Sequence, residues 1–231
     1  MREKPVAKKP VAPKRADQTL EAFLLKNRKP LLAVCCCCLV AAVVVCVCVI
    51  VRDAKTKKAL AAIDTVEFTL VSSSSGISDE DASSRLDEAA LALEGYLSMK
   101  GVVGVRANML AADIAFQVGD FQKALDLYQA AAHRSRKAYT CAENTYNAAV
   151  CAQQMGQTSE ALTLFAQAAE QEDFYLASRA LFNAGRICEG QGDFIQAGEY
   201  YQKAVDSHSG EEWASLCQSR IIDLKAKGQL D

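Results

Sequence analysis

A segment that recurs three times limits what this chain can fold into. Gly119 to Ala131 (GDFQKALDLYQAA) returns as Gly156 to Ala169 (GQTSEALTLFAQAA) and again as Gly192 to Val205 (GDFIQAGEYYQKAV). The starts are 37 and then 36 residues apart. A fixed period of this size marks a stacked array, in which each unit buries its apolar face only against its neighbours.

The shared letters have physical roles. Gly119, Gly156 and Gly192 each end a helix, where glycine takes a positive φ without strain. Five residues later Ala124, Ala161 and Ala197 let two helices approach closely. Tyr128, Phe165 and Tyr201 follow one turn along the same face and fill the space between hairpins. Ala131, Ala168 and Ala204 continue that face.

This pattern resembles the tetratricopeptide repeat (TPR), a helix–turn–helix unit of 34 residues. Aligning each Gly with the fifteenth position of that unit places repeats at 105–138, 142–175 and 178–211. The small residue of the first helix then falls on Ala112, Ala149 and Gly185. Ala111, Ala148 and Ala184 replace the usual large residue before it, and the closing Pro is missing. The resemblance implies a TPR-like solenoid of helical hairpins; with the apolar run read below, the expected fold is all-α, an N-terminal transmembrane helix followed by that solenoid with a capping helix at its C-terminal end. It also implies a binding surface, not a reaction centre.

Charge divides the chain. Residues 1–52 carry 10 Lys/Arg and 3 Asp/Glu, whereas residues 53–231 carry 16 and 25, within a total net charge of −2. Residues 1–16 hold Pro5, Pro10 and Pro13 among basic residues and read as a disordered tail. Residues 17–29 read as a short amphipathic helix through Leu20, Phe23 and Leu24. Pro30 suits the first turn of the next helix. Leu31 to Val51 is a run of 21 uncharged residues, about 31 Å as a helix and enough to cross a bilayer core. The span is thus placed at 30–52. Nine basic residues precede it, which puts the N-terminus in the cytoplasm by the positive-inside rule. The run is long for a signal peptide, and no small-residue cleavage site follows.

Residues 53–104 read as a stalk continuing the membrane helix, followed by a divergent hairpin. Ala59, Leu60, Ile63, Val66, Phe68 and Leu70 give the stalk apolar surface, and Ser72 to Ser78 form a loop. Residues 105–231 hold the three repeats and a last helix, Glu211 to Lys227. There Trp213, Leu216, Ile221 and Leu224 are expected to cover the end of repeat three. The part after the span amounts to about nine helices.

Ten cysteines invite a search for metal or redox chemistry. Six lie in the apolar run, scattered around the helix with no His or carboxylate near. Cys141, Cys151, Cys188 and Cys217 show no CxxC spacing. The two histidines, His133 and His208, lie near helix ends, and no catalytic motif is present. The expectation is a non-enzyme that uses no cofactor or metal and binds no nucleic acid.

In the TPR family the concave face is lined by fixed positions of each first helix. Carried onto this chain, they are Arg106, Met109, Asp113 and Phe116 in repeat one, and Glu143, Tyr146, Asn147, Val150 and Gln153 in repeat two. Repeat three gives Arg179, Phe182, Asn183, Arg186 and Glu189. Aromatic residues beside Asn and Arg suit an extended peptide. Of the family's carboxylate clamp, Asn147 and Arg179 match and Met109 and Asp113 do not.

The layout as a whole resembles a bacterial family with a cytoplasmic N-terminus, one span and a periplasmic TPR-like domain, an ancillary subunit of the Sec translocon. The resemblance implies an anchor in the inner membrane, with protein or peptide partners that include the translocon and exported clients. The alternative is a scaffold for envelope or division complexes without chaperone activity.

Overall fold

A computed structural model of the chain describes residues 23–72, 79–136 and 138–230. The basic tail, the first part of the 17–29 helix and nearly all of the Ser72 to Ser78 loop lie outside the described residues. Among the described residues every regular element is helical. Contacts divide the chain into two compact units, residues 1–55 and 56–231.

Helix α1, Arg28–Ser72, runs through the apolar stretch and beyond. In the first unit, Leu32, Val34, Leu39, Val44 and Ile50 are all exposed. Exposure of so many aliphatic side chains on a helix of this length marks a candidate membrane span. The six cysteines of the stretch are exposed and free.

The second unit continues with α2 (Asp79–Leu97), α3 (Val102–Gln117), α4 (Phe121–Arg134), α5 (Thr140–Gln154), α6 (Thr158–Ala169), α7 (Ala177–Gly190), α8 (Phe194–Ser207) and α9 (Glu212–Ala226). The pairs α3/α4, α5/α6 and α7/α8 are the three hairpins of the repeated sequence. Each turn is built alike. Gly119, Gly156 and Gly192 have φ of 81°, 72° and 80°, a backbone that a side chain would strain. The next residue, Asp120, Gln157 or Asp193, donates its N–H to the carbonyl of Ala115, Ala152 or Cys188 at 2.9 Å. Asp120 and Asp193 then cap the following helix, each accepting a backbone N–H three residues on, at 3.1 and 3.0 Å.

Packing follows the repeat. Ala124, Ala161, Ala197, Ala131, Ala168 and Ala204 are all fully buried, as are Phe165 and Tyr201, with Tyr128 nearly so. Small and large residues thus alternate on the inner face of every second helix, which lets helices close up without voids. Phe174, in the α6–α7 connection, plugs the central cluster beside Tyr146, Ala148 and Phe165.

Three details differ from the sequence expectation. The second half of α1 is no free stalk: Ala59 and Ile63 are buried with Leu93, Val103 and Ile114 of α2 and α3. Only Phe68, among the apolar residues named for it, is strongly exposed. In α9, Leu216 faces out and Cys217 faces in with Ile221 and Leu224. The helical period set the face to within one residue, and that residue decided between them. Finally, α9 ends as the first helices of the three hairpins do. Gly228 has φ of 66°, and Gln229 donates to the Leu224 carbonyl at 2.9 Å. Leu230 then folds onto Gly198, so closely that a Cβ there would meet its Cδ1 at 2.5 Å. The helix expected as a cap therefore has the geometry of a fourth hairpin's first helix, one further period on from Gly192.

Candidate protein-binding face

The first helices α3, α5 and α7 carry the predicted residues. Tyr146, Asn183, Arg179, Phe182 and Arg186 are joined to one another with Trp213 of α9, whereas Arg106, Asp113, Phe116 and Glu143 meet other partners. At one end the Arg106 guanidinium donates to Asp64 at 2.5 Å and to Glu67 at 2.8 Å, both on α1. Met109 is half-buried beside it in sequence. Asp113 is reached by the Tyr128 hydroxyl, which donates to its carboxylate. Loss of hydration raises the Asp113 pKa above the usual carboxylate range. The Tyr128 bond opposes that shift, while the carboxylates of Glu143 and Glu67 add to it. Burial pushes the Tyr128 phenol above its ordinary value, and its carboxylate partner adds to the effect. Phe116 turns edge-on to Phe121, ring centres 5.2 Å apart.

In the middle stands Tyr146. Its ring is buried, packed edge-on against Phe165 at 5.3 Å and tilted to Phe174 at 6.1 Å. This corrects the expectation that Tyr146 offers open stacking area. Its hydroxyl accepts from Asn183 Nδ2 at 3.1 Å. Asn147 and Val150 are half-buried, Val150 against the central cluster, and Gln153 is exposed. Glu143, half-buried, accepts from the Tyr175 hydroxyl at 3.5 Å.

At the other end Arg179 is exposed, with its guanidinium 5.0 Å from the Trp213 ring centre and 5.7 Å from that of Tyr146. Phe182 is half-buried between Trp213 at 5.2 Å and Tyr201 at 6.0 Å. Arg186, exposed, lies 5.9 Å from the Phe182 ring centre. Arg186 and Phe182 line a shallow hollow of about 360 Å³ with Glu189, Gly190 and Arg220. Glu189 is taken by Arg220 and by the Tyr201 hydroxyl, which donates at 2.9 Å.

Two contributors escaped the sequence reading. Trp213 was named for covering the array end, yet it supplies the ring nearest Arg179. Asp64 and Glu67 of α1 neutralise Arg106. The signal for the latter was present: acidic residues one turn apart on the helix that leads out of the apolar run.

The face displays amides, guanidiniums held on rings, and carboxylates. Among the described residues no group of three His, Cys, Asp or Glu side chains converges as a metal site would.

Residues 78–139 and 146–212, together more than half of the chain, match the family described as Tetratricopeptide repeat. The chain belongs to the tetratricopeptide-repeat family. The match begins at residue 78, so it takes in α2 ahead of the first hairpin. A TPR repeat-containing protein of Treponema pallidum (strain Nichols) is 35% identical over 122 residues, covering 53% of this chain and 51% of the relative. The chain thus spans about half the length of that curated relative. TPR arrays serve as protein-interaction modules.

Proposed function

We propose that the chain is a single-span TPR protein of a bacterial inner membrane. Its N-terminus is cytoplasmic and its repeat array lies on the periplasmic side. There it binds segments of other proteins as an accessory or chaperone-like factor for export, at the translocon or on its clients. Binding, not catalysis, is its activity. One observation carries the binding part: Arg179 is exposed, lies against two aromatic rings and pairs with no carboxylate among the described residues. A guanidinium held this way is ordered before a ligand arrives, so less freedom is lost on binding. The nine basic residues before the apolar run support the topology.

The test uses the full chain in detergent micelles, mixed with an unrelated protein that aggregates on dilution from denaturant. A chaperone-like factor slows the aggregation at stoichiometric amounts. A pure assembly scaffold leaves it unchanged, and that result would overturn the export role. Protease added to spheroplasts checks the topology: digestion of residues 53–231 is expected, and protection would contradict it.

A further inference from the structure

The face can be read as two rows. Arg106, Glu143 and Arg179 stand 37 and 36 residues apart and hold the same place in successive hairpins. Asp113, Val150 and Arg186 form a second row with the same spacing. Charge changes sign along both. On α3 and α5, Arg106 is already occupied by Asp64 and Glu67. What remains is Asp113 with Glu143 near enough to disfavour its ionisation. On α7 the remainder is basic. Arg220 is bound to Glu189 and Asp223, whereas Arg179 and Arg186 meet rings and, among the described residues, no carboxylate.

Two exposed cations on one helix repel each other, and Glu189, which lines the hollow beside Arg186, is already held by Arg220 and Tyr201. The fold instead holds each against an aromatic face, which orients the planar fork and leaves its N–H groups for an outside acceptor. Both guanidiniums meet the Phe182–Trp213–Tyr146 aromatic group, so an arriving anion would sit on a partly apolar floor. There an ion pair is stronger than in open water.

We propose that this face takes a linear protein segment of mixed charge. Acidic residues of the segment sit on Arg179 and Arg186, and basic residues a few positions away sit on Glu143 and Asp113. Glu143 lies on α5 and Arg179 on α7, alternate helices joined across the face by the Asn183–Tyr146 hydrogen bond and the Arg179–Tyr146 contact. An extended chain advances about 3.3 Å per residue, so several residues separate the two charge groups of the segment. The inference rests on the reading that this face binds protein and narrows it to a charge pattern. A nucleic acid does not fit, because Asp113 and Glu143 would repel the continuing phosphate chain.

The test uses the full chain in detergent micelles and four fluorescein-labelled synthetic peptides. All share a Ser/Ala/Tyr background. One carries a Glu pair and a Lys pair about four residues apart, one only the Glu pair, one only the Lys pair, and one neither. By fluorescence anisotropy at low salt, the mixed peptide is expected to bind about tenfold or more tighter than the uncharged one, with the Glu-only peptide between them. The variant Arg179→Glu/Arg186→Glu replaces both cations left without a carboxylate by acids and should invert the order, with the Lys-only peptide first. Circular dichroism checks its fold. If the double variant does not fold, Arg186→Glu alone leaves the Arg179 stack in place and should still weaken the Glu-bearing peptides. Equal binding of all four peptides would overturn the charge pattern and leave the binding reading standing. Binding of none of them would overturn the pattern and count against the face itself.

Discussion

Gly185 of α7 lies directly against the ring of Tyr201 on α8. A Cβ at Gly185 would sit 2.7 Å from Tyr201 Cδ1 and closer still to Cε1. The ring cannot swing aside, because it is fully buried and its hydroxyl is bound to Glu189. Gly185→Ala is therefore expected to destabilise the repeat unit by about 1–3 kcal/mol through overpacking. Gly190→Ala, where nothing lies within 4 Å, should be neutral or slightly stabilising. Urea unfolding followed by circular dichroism compares the two. Equal stability of both variants would contradict the packing described.

The alanines five residues after each turn glycine make the same point three times. Ala124, Ala161 and Ala197 have no exposed surface. Replacing any of them with Leu should cost about 1–3 kcal/mol. Lower melting temperatures for all three variants are expected. A wild-type melt for Ala161→Leu, in the middle of the array, would contradict the close approach of α5 and α6.

Tyr146 separates packing from recognition. Tyr146→Ala removes a buried ring from between Phe165 and Phe174, a loss of about 3–5 kcal/mol. Tyr146→Phe keeps the ring and loses only the hydroxyl that accepts from Asn183, a loss of about 0.5–1.5 kcal/mol. Denaturation curves should rank the variants in that order. A fully stable Tyr146→Ala protein would show the ring to be surface-exposed in solution.

Three buried thiols tie stability to alkaline pH. Burial pushes Cys151 and Cys217 up to about 12, and it raises Cys188 as well. The ordinary thiol value is 9.0. Below it, folded and unfolded chains both keep these protons. Between about 9 and 12 the unfolded chain loses them and the folded chain keeps them, so stability falls as pH rises through that window. Denaturation midpoints across that range should decline, and the decline should be shallower in Cys151→Ala. The absolute stability of that variant is lower because of the cavity, so the slope is the readout. An unchanged slope would contradict the thiol account.

The turns were readable from the sequence because only glycine adopts their backbone freely. Gly119, Gly156 and Gly192 gave both the period and the place of each hairpin. The buried Ala and aromatic positions followed from them, since a helical period identifies the inner face. Depth was not readable: the position of Tyr146 is the same whether its ring caps a surface or fills an interior. Its burial depends on Phe174, which comes from a connection outside the periodic pattern. The role of Gly228 was also hidden, because no second-helix pattern follows it within the sequence to mark it as a turn. Likewise Ala59 and Ile63 belong to a helix whose membrane-like half dominates its composition. Their packing partners, Leu93 and Val103, are far away in sequence.

Contact of other proteins with the face carrying Arg179 can be measured in place. The most direct measurement replaces Asn147, Asn183 or, on the outside of the array, Gln167 with a photo-crosslinking amino acid in the full chain, expressed in its native cells. Illumination is expected to give discrete adducts with other proteins from positions 147 and 183, and none from 167. Charge reversal at Arg179 should remove those adducts. Adducts from position 167 alone, or adducts from 147 and 183 that persist after Arg179→Glu, would contradict the account.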